Sequence, residues 1–197
     1  MKGVMALEQR YYRALIVSRS EKFIKEIGSL LGVEQFENDS ASEASAARRK
    51  LLERSYDFVI INAPLSDEFG SRLSMDVSTS PGTIAVLFAM SDVYEEIVHK
   101  TAPHGVFIIR KPASASVVSQ SLSLLISARE RLRAVEKKAG KAESKLDELR
   151  VVNKAKWLLI DNEDMSENDA HKYIEKAAMD AGITKKQAAQ MIIERYI

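Results

Sequence analysis

Along the first 126 residues, short and nearly unbroken apolar runs alternate with stretches in which apolar side chains recur every three to four positions. Strands covered on both faces read as continuous apolar runs, and helices lying on a sheet read as a single stripe. The alternation therefore predicts βα units and a parallel sheet clothed in helices. Five strands are predicted, at Ala14–Val17, a weaker one over Val33–Phe36, Phe58–Ile61, Ile84–Phe88 and Val106–Ile109. Between them lie predicted helices at Glu21–Leu31, where Phe23, Ile24, Ile27 and Leu31 share a face, at Ala41–Arg54 and at Val93–Thr101. The expected fold class is a small α/β domain of (βα)5 type with a doubly wound parallel sheet.

From about Pro112 the pattern becomes helical and stays so to about Asp161. Leu125, Leu132, Ala139, Leu146 and Asn153 fall on one heptad position, and Ala128, Val135, Ala142 and Leu149 fall three residues later. Charged residues fill the remainder, the pattern of a helical seam between two chains, although Ala139, Gly140 and Ala142 make it weak. A solvated helix that only connects two domains is the other account of the same stretch. The last 47 residues read as three short helices, the first over about Val151–Asp161. Ser166, three residues before Asp169, opens a second helix with Ala170, Ile174, Ala177, Ala178 and Ala181 on one stripe, and Gly182 ends it. Thr184 with Gln187 forms a capping box that opens a third helix, with Ala188, Met191 and Ile192 facing inward. The expected boundaries are a sheet domain over 1–121, a coiled-coil linker over 122–150 and a helical domain over 151–197. So short a helical domain has a marginal core and needs the preceding helix or a partner.

Composition narrows the classes. With 197 residues, 46% of them hydrophobic and 29% charged, the chain is globular, neither disordered nor collagen-like. The absence of Cys excludes disulfides, thiolate metal sites and Cys nucleophiles and suits a reducing compartment. The first 13 residues hold no sustained apolar segment, and no window approaches the ~20 apolar residues of a spanning helix, so a cytoplasmic protein without membrane attachment is expected. The net charge is +1; residues 127–150 carry 8 basic and 5 acidic side chains, and no segment is a cationic block. Nucleic-acid binding would therefore rest on basic side chains gathered on one face. There is no Gly-rich phosphate loop, no G-x-S-x-G and no HExxH, and His99, His104 and His171 are scattered. No enzyme, catalytic residue, cofactor or metal site is expected.

The N-terminal part carries the strand Ala14–Val17, the stretch from Asp57 through Asn62, Ala63 and Pro64 to Leu65 followed by Gly70, and Lys111-Pro112 after the fifth strand. Over roughly residues 12–126 it resembles a two-component receiver domain. The resemblance implies a phosphoryl-accepting Asp after the third strand, an acid pair for Mg²⁺ after the first, a Thr or Ser after the fourth, and a Lys joined to Pro by a cis peptide. Phosphoryl transfer needs these groups because its catalysis is positioning plus charge neutralisation. Here the acceptor position holds Asn62, which cannot form an acyl phosphate, the acid pair is replaced by Ser18 and Arg19, and the hydroxyl position matches Met90, with Ser91 next to it. Only Lys111 follows the pattern. The expectation is a pseudo-receiver controlled without phosphorylation. One account of its pocket is a scaffold in which Asn62 bonds Lys111 and Arg19 pairs with Asp57, Asp67 or Glu68. The other is that Lys111 and Arg19 mimic an activated charge state or bind an anion or a regulatory partner protein.

The C-terminal part contains Asn153, Ala155, Lys156 and Trp157, then Ser166, Glu167, Ala170, His171, Lys172, Tyr173, Lys176, Ala178 and Met179, and finally Gln187, Ala188 and Ala189. Over about residues 150–197 this run resembles the ANTAR domain, an RNA-binding antiterminator module commonly joined by a long helix to a receiver. Lys172 and Lys176, four apart, share one helix face beside Tyr173, and Lys156 comes from the preceding helix. Lysines neutralise phosphates and an aromatic ring stacks on an unpaired base. Each has a bland alternative: Lys172 and Lys176 paired with Asp169 and Glu175, Tyr173 capping the core, Trp157 packed. The resemblance implies binding to tandem hairpins in an mRNA leader, through Asn153, Ala155, Lys156, Lys172, Tyr173, Lys176 and Met179, by a homodimer joined along residues 125–153. A DNA-binding regulator built on the same three helices, or a protein-interaction scaffold, remains the alternative.

Overall fold

The computed structural model describes residues 11–196, so most of the N-terminal stretch read above for a targeting segment lies outside the described residues. The chain divides into two compact units, up to Arg133 and from Ala134 onward.

The first unit is a five-stranded parallel sheet in the order β2-β1-β3-β4-β5. Its strands are β1 (Tyr12–Val17), β2 (Phe36–Ala41), β3 (Phe58–Asn62), β4 (Ile84–Met90) and β5 (Phe107–Lys111). Helices α1 (Glu21–Leu31), α2 (Ala44–Glu53), α3 (Ser71–Ser78) and α4 (Tyr94–Thr101) connect them. Successive side chains on a strand point to opposite faces, so each apolar run feeds two cores. Leu15, Val17, Val59, Ile61 and Leu87 pack with Ala44, Ala47, Leu73, Val77 and Ile97, and Ala14, Ile16, Phe58, Ile60, Val86 and Phe88 pack with Ile27, Leu31, Val118, Leu122 and Leu125. The doubly wound α/β expectation is met.

Two elements depart from expectation. The second strand begins where it was predicted to end: Val33 sits in the turn after Gly32, 83% exposed, and β2 runs on through Phe36–Ala41. Among the described residues this edge strand pairs only with β1. Only its end residues Phe36 and Ala41 are buried. Its interior is polar: Glu37 bonds Arg13 and Arg54, and Asp39 accepts from the Tyr56 hydroxyl at 2.8 Å, so it carries no apolar run. Helix α3 reads as polar but buries Leu73 and Val77, and it starts at Gly70, whose φ of 101° and closeness to Ile61 exclude a side chain: a Cβ there would lie 2.9 Å from Ile61 Cγ2.

Helix α5 (Ala115–Glu163) is a single element of 49 residues. The predicted short helix over Val151–Asp161 is therefore its C-terminal part and not a separate element, because nothing in the sequence there supplies a cap or a break. Within the first unit the Asp57 carboxylate accepts from Arg129 Nε at 3.1 Å, from Arg133 at 2.8 Å and from the Arg13 backbone N–H at 3.1 Å, and the Tyr12 hydroxyl donates to Glu130 at 3.0 Å. These bonds fasten α5 residues 129–133 to the N-terminal edge of the sheet.

In the second unit the end of α5 packs with α6 (Glu167–Ala181) and α7 (Lys185–Ile193). The core pairs Leu159, Ile174, Ile192 and Ile193 with Ala155, Ala170, Ala178, Ala188 and Ala189, small side chains that let the helices approach closely. Ser166 caps α6, accepting from the Asp169 backbone N–H, and Gly182 ends it in the left-handed conformation. Thr184 and Gln187 form the full capping box at α7. Met191, expected inside, is 52% exposed, and Ala181 is exposed as well; the stripe on α7 passes instead through Ala189 and Ile193.

Candidate nucleic-acid interface

The receiver-type pocket forms at the C-terminal ends of the strands, where a doubly wound sheet opens its crevice. Asn62 ends β3, Met90 ends β4, Lys111 ends β5, and Ser18 follows β1. The Lys111 ammonium donates to Asn62 Oδ1 at 2.7 Å and to the Ala63 carbonyl at 2.5 Å. Asn62 Nδ2 donates to Ser18 Oγ at 3.0 Å, which also accepts from the Ser20 backbone N–H. The Asn62–Lys111 bond is the one anticipated for a scaffold. Burial, and then the nearby charge of Arg19, pull the Lys111 pKa below its ordinary value. The Lys111–Pro112 peptide is cis, as is Ala63–Pro64.

The expected ion pair of Arg19 is absent. Arg19 is exposed and has no ion-pair partner among the described residues, because each acid named for it is engaged elsewhere. Asp57 holds Arg129 and Arg133, Asp67 caps α2 by accepting from the Ala44 and Ser45 backbone N–H groups at 2.8 Å each, and Glu68 bonds Arg48 at 2.9 Å. Those two backbone bonds hold the Asp67 pKa below the usual carboxylate range. Met90 is half-exposed opposite Lys111, and Ser91 Oγ donates to the Lys111 carbonyl at 2.8 Å. A divalent cation is held by carboxylate and other oxygen ligands. Ser18, Arg19, Asn62, Met90 and Lys111 bring no carboxylate and two cations, so they do not fit the Mg²⁺ of a receiver.

In the second unit the basic and aromatic residues separate into two groups. On α6, Lys172 and Lys176 are exposed one turn apart and have no ion-pair partner among the described residues. Tyr173 is partly exposed beside them, and Met179 stands 76% exposed on the same stripe. Glu175 is occupied by Lys185 and approached by His171 at 3.4 Å, and Asp169 accepts from Ser166 Oγ, so the anticipated local pairing of the two lysines does not form.

The other group lies at the end of α5. Asn153 and Lys154 are exposed. Trp157, expected to pack, is 66% exposed. Asn153, Lys156 and Trp157 line a cleft of roughly 540 Å³ with Ile160, Met165, Ser166 and Glu167. Two of the nominated residues do not fit the contact role. Ala155 is fully buried in the core, because it faces α6 and α7, and Lys156 has a side chain only 16% exposed that pairs with Glu167 at 2.8 Å. That pairing holds the Glu167 pKa below its ordinary value. Lys186 of α7 pairs similarly with Asp147, and Lys172 and Lys176 are the lysines of α6, both open.

The comparisons agree with this division. Residues 140–193 match the family model of the ANTAR domain. The transcriptional regulatory protein PdtaR of Mycobacterium tuberculosis H37Rv is 26% identical over 141 residues, 70% of this chain and 67% of that protein. The signal receiver domain of an HD domain-containing protein from Pseudomonas fluorescens Pf-5 aligns with a TM-score of 0.58 at 21% identity, covering 67% of this chain and 98% of that one. A response regulator receiver domain protein from Clostridium thermocellum aligns at 0.54 and 18% identity, over 61% and 98% of the two chains. In the described residues no helix is long and apolar enough to cross a membrane. Residues 140–193 thus match an ANTAR domain, and they follow a unit of receiver fold.

Proposed function

We propose that the chain is a cytoplasmic transcription antitermination regulator that grips tandem hairpins in an mRNA leader with its ANTAR domain. The observation that carries this reading is the open pair Lys172 and Lys176 beside Tyr173 and Met179, on a helix of the segment matched by the ANTAR model. The ammonium groups meet loop phosphates and the tyrosine ring accepts an unpaired base. Asn153 contributes from α5, while Lys156 and Ala155 build the frame. The receiver-like part, 1–121, is read as a pseudo-receiver: an amide at Asn62 offers no carboxylate oxygen to accept a phosphoryl group, so control falls to a partner protein, to RNA-assisted dimerisation or to expression level.

Dimerisation runs along the helix over 125–153. Leu125 is 3% exposed within the first unit's own core, so the seam is shortened to Leu132, Val135, Leu146 and Leu149 around Ala139 and Ala142, all of them solvent-facing in the single chain. Such a seam is weak by itself, and two hairpins on one RNA strengthen it through effective concentration. The test is titration of the unphosphorylated protein with a two-hairpin RNA against duplex DNA competitor, with the mass of the complex measured. A dimer on RNA that resists DNA is the expected result. Displacement by duplex DNA assigns the chain to DNA-binding regulators, and no nucleic-acid binding in any oligomeric state refutes the reading.

A further inference from the structure

Between α1 and the start of α5, the first unit carries an apolar groove of about 970 Å³ that Lys111 also lines. Phe23 and Leu30 of α1 form one wall, Phe88 and Met90 of β4 the floor, and Pro112 and Val118 the far wall. Phe23 and Phe88 meet edge to face with ring centres 5.0 Å apart, which fixes the shape of the floor. The volume lies within the range of about 300–1,000 Å³ typical of small-molecule sites.

The polar end of this groove is positively charged without a counter-charge. The two acceptors of the Lys111 ammonium, Asn62 Oδ1 and the Ala63 carbonyl, are both neutral, which leaves one of its three N–H donors open. Arg19, outside the lining itself but close enough for its charge to act on Lys111, is a second cation with no ion-pair partner among the described residues, and Lys25 lines the groove with none either. Glu26 is the one carboxylate on the lining, and it lies 3.8 Å from Lys22. A half-buried cation against neutral partners gains most from an anion that brings its own apolar body.

We infer that this groove binds a small amphipathic carboxylate, its apolar body between α1 and α5 and its carboxylate on Lys111 and Arg19. The inference goes beyond RNA recognition and concerns the other unit. It also gives the Asn62 pocket a chemical input that a phosphoryl group cannot supply there.

The test uses the full chain, without RNA, titrated by calorimetry with sodium decanoate below its micellar concentration, with decanol as the neutral analogue and acetate as the anion without a body. Decanoate is expected to bind at least about tenfold tighter than decanol, the worth of one charge-assisted hydrogen bond in a partly buried site, and acetate not measurably. Lys111→Met is expected to erase the preference for decanoate, and Arg19→Gln to reduce it. Leu30→Glu, on the exposed rim, is expected to weaken both ligands and covers the case in which Lys111→Met fails to fold. Equal binding of decanoate and decanol to the unaltered chain, an unchanged preference in Arg19→Gln, indifference to Leu30→Glu, or binding of none of the three overturns the inference. Because no RNA is present, such a failure leaves the RNA reading where it stands.

Discussion

The two units handle their charged side chains in opposite ways. In the receiver-fold unit most polar groups near the sheet ends close on one another: Asp57 with Arg129 and Arg133, Lys111 with Asn62, Arg48 with Glu68 and Asp76. In the ANTAR unit Glu167 and Glu175 of α6 engage Lys156 and Lys185, Asp147 of α5 engages Lys186, and Lys172 and Lys176 stay open. A closed network acts on stability and local geometry, whereas open cations near a partly exposed ring are free to act, on the proposed reading, on something outside the chain. The contrast separates charges that hold the fold from charges that meet a partner, and each can be altered without the other.

The largest effect is expected at Asp57. Asp57→Ala removes the carboxylate that Arg129 and Arg133 share and is expected to lower the stability of the first unit by about 3 kcal/mol in urea unfolding followed by circular dichroism. RNA affinity below the unfolding range should not move; a parallel loss would mean that the network also serves binding. Next comes the double substitution Lys172→Ala with Lys176→Ala, expected to weaken hairpin RNA by about 2 kcal/mol, roughly 30-fold, and to flatten the log K against log salt slope by about 1.4. Stability should stay within ~0.5 kcal/mol, as for exposed positions generally. Lys156→Ala, already tied to Glu167, is expected to cost less RNA affinity than either lysine of α6.

A smaller change is expected from Asn62→Asp. It removes the donor to Ser18 and supplies an anion to Lys111, so stability should shift by about 1 kcal/mol or less. Acetyl phosphate with Mg²⁺ should still leave the variant unphosphorylated by mass spectrometry, because Ser18 and Arg19 provide no metal carboxylate. Phosphorylation of this variant would break the comparison from the receiver side. The smallest effect is acid titration of the exposed pairs. Glu167 and Glu175 have folded-state pKa values held below their ordinary 4.5 by Lys156 and Lys185, so the stability they contribute is present above that value and is lost as pH falls through their lower folded values. Thermal melts of the ANTAR unit between pH 6 and pH 3 should therefore decline only below about pH 4.5, and each charge-neutral variant, Glu167→Gln or Glu175→Gln, should flatten that decline.

Much of the fold was legible because β1, β3 and β4 are buried on both faces and need unbroken apolar runs, and because Glu21–Leu31, Ser166, Gly182 and the Thr184–Gln187 box carry their own helix signals. The edge strand β2 was misplaced since a strand paired on one side tolerates Glu37 and Asp39 in its middle. Helix α3 escaped because its two buried apolar residues, Leu73 and Val77, sit among five polar ones. At the site, residue types were readable but their partners were not. Nothing local in the sequence says that Asp57 reaches α5, 72 and 76 positions onward, or that Lys156 folds back onto Glu167. Ala155 and Trp157 show the same limit, since one small and one large residue two apart exchange the expected inside and outside once α6 and α7 choose a face of α5.

Trp157 has a practical consequence. It is the sole tryptophan of the chain, and it stands open to water at the α5 end of the ANTAR unit, beside the cleft it shares with Asn153 and Lys156. Excited at the red edge of its absorption, the protein emits from that one ring alone, while the receiver-fold unit, with only tyrosines and phenylalanines, stays dark. The molecule thus carries a built-in optical probe of one unit: a stacked nucleobase at the cleft would quench it.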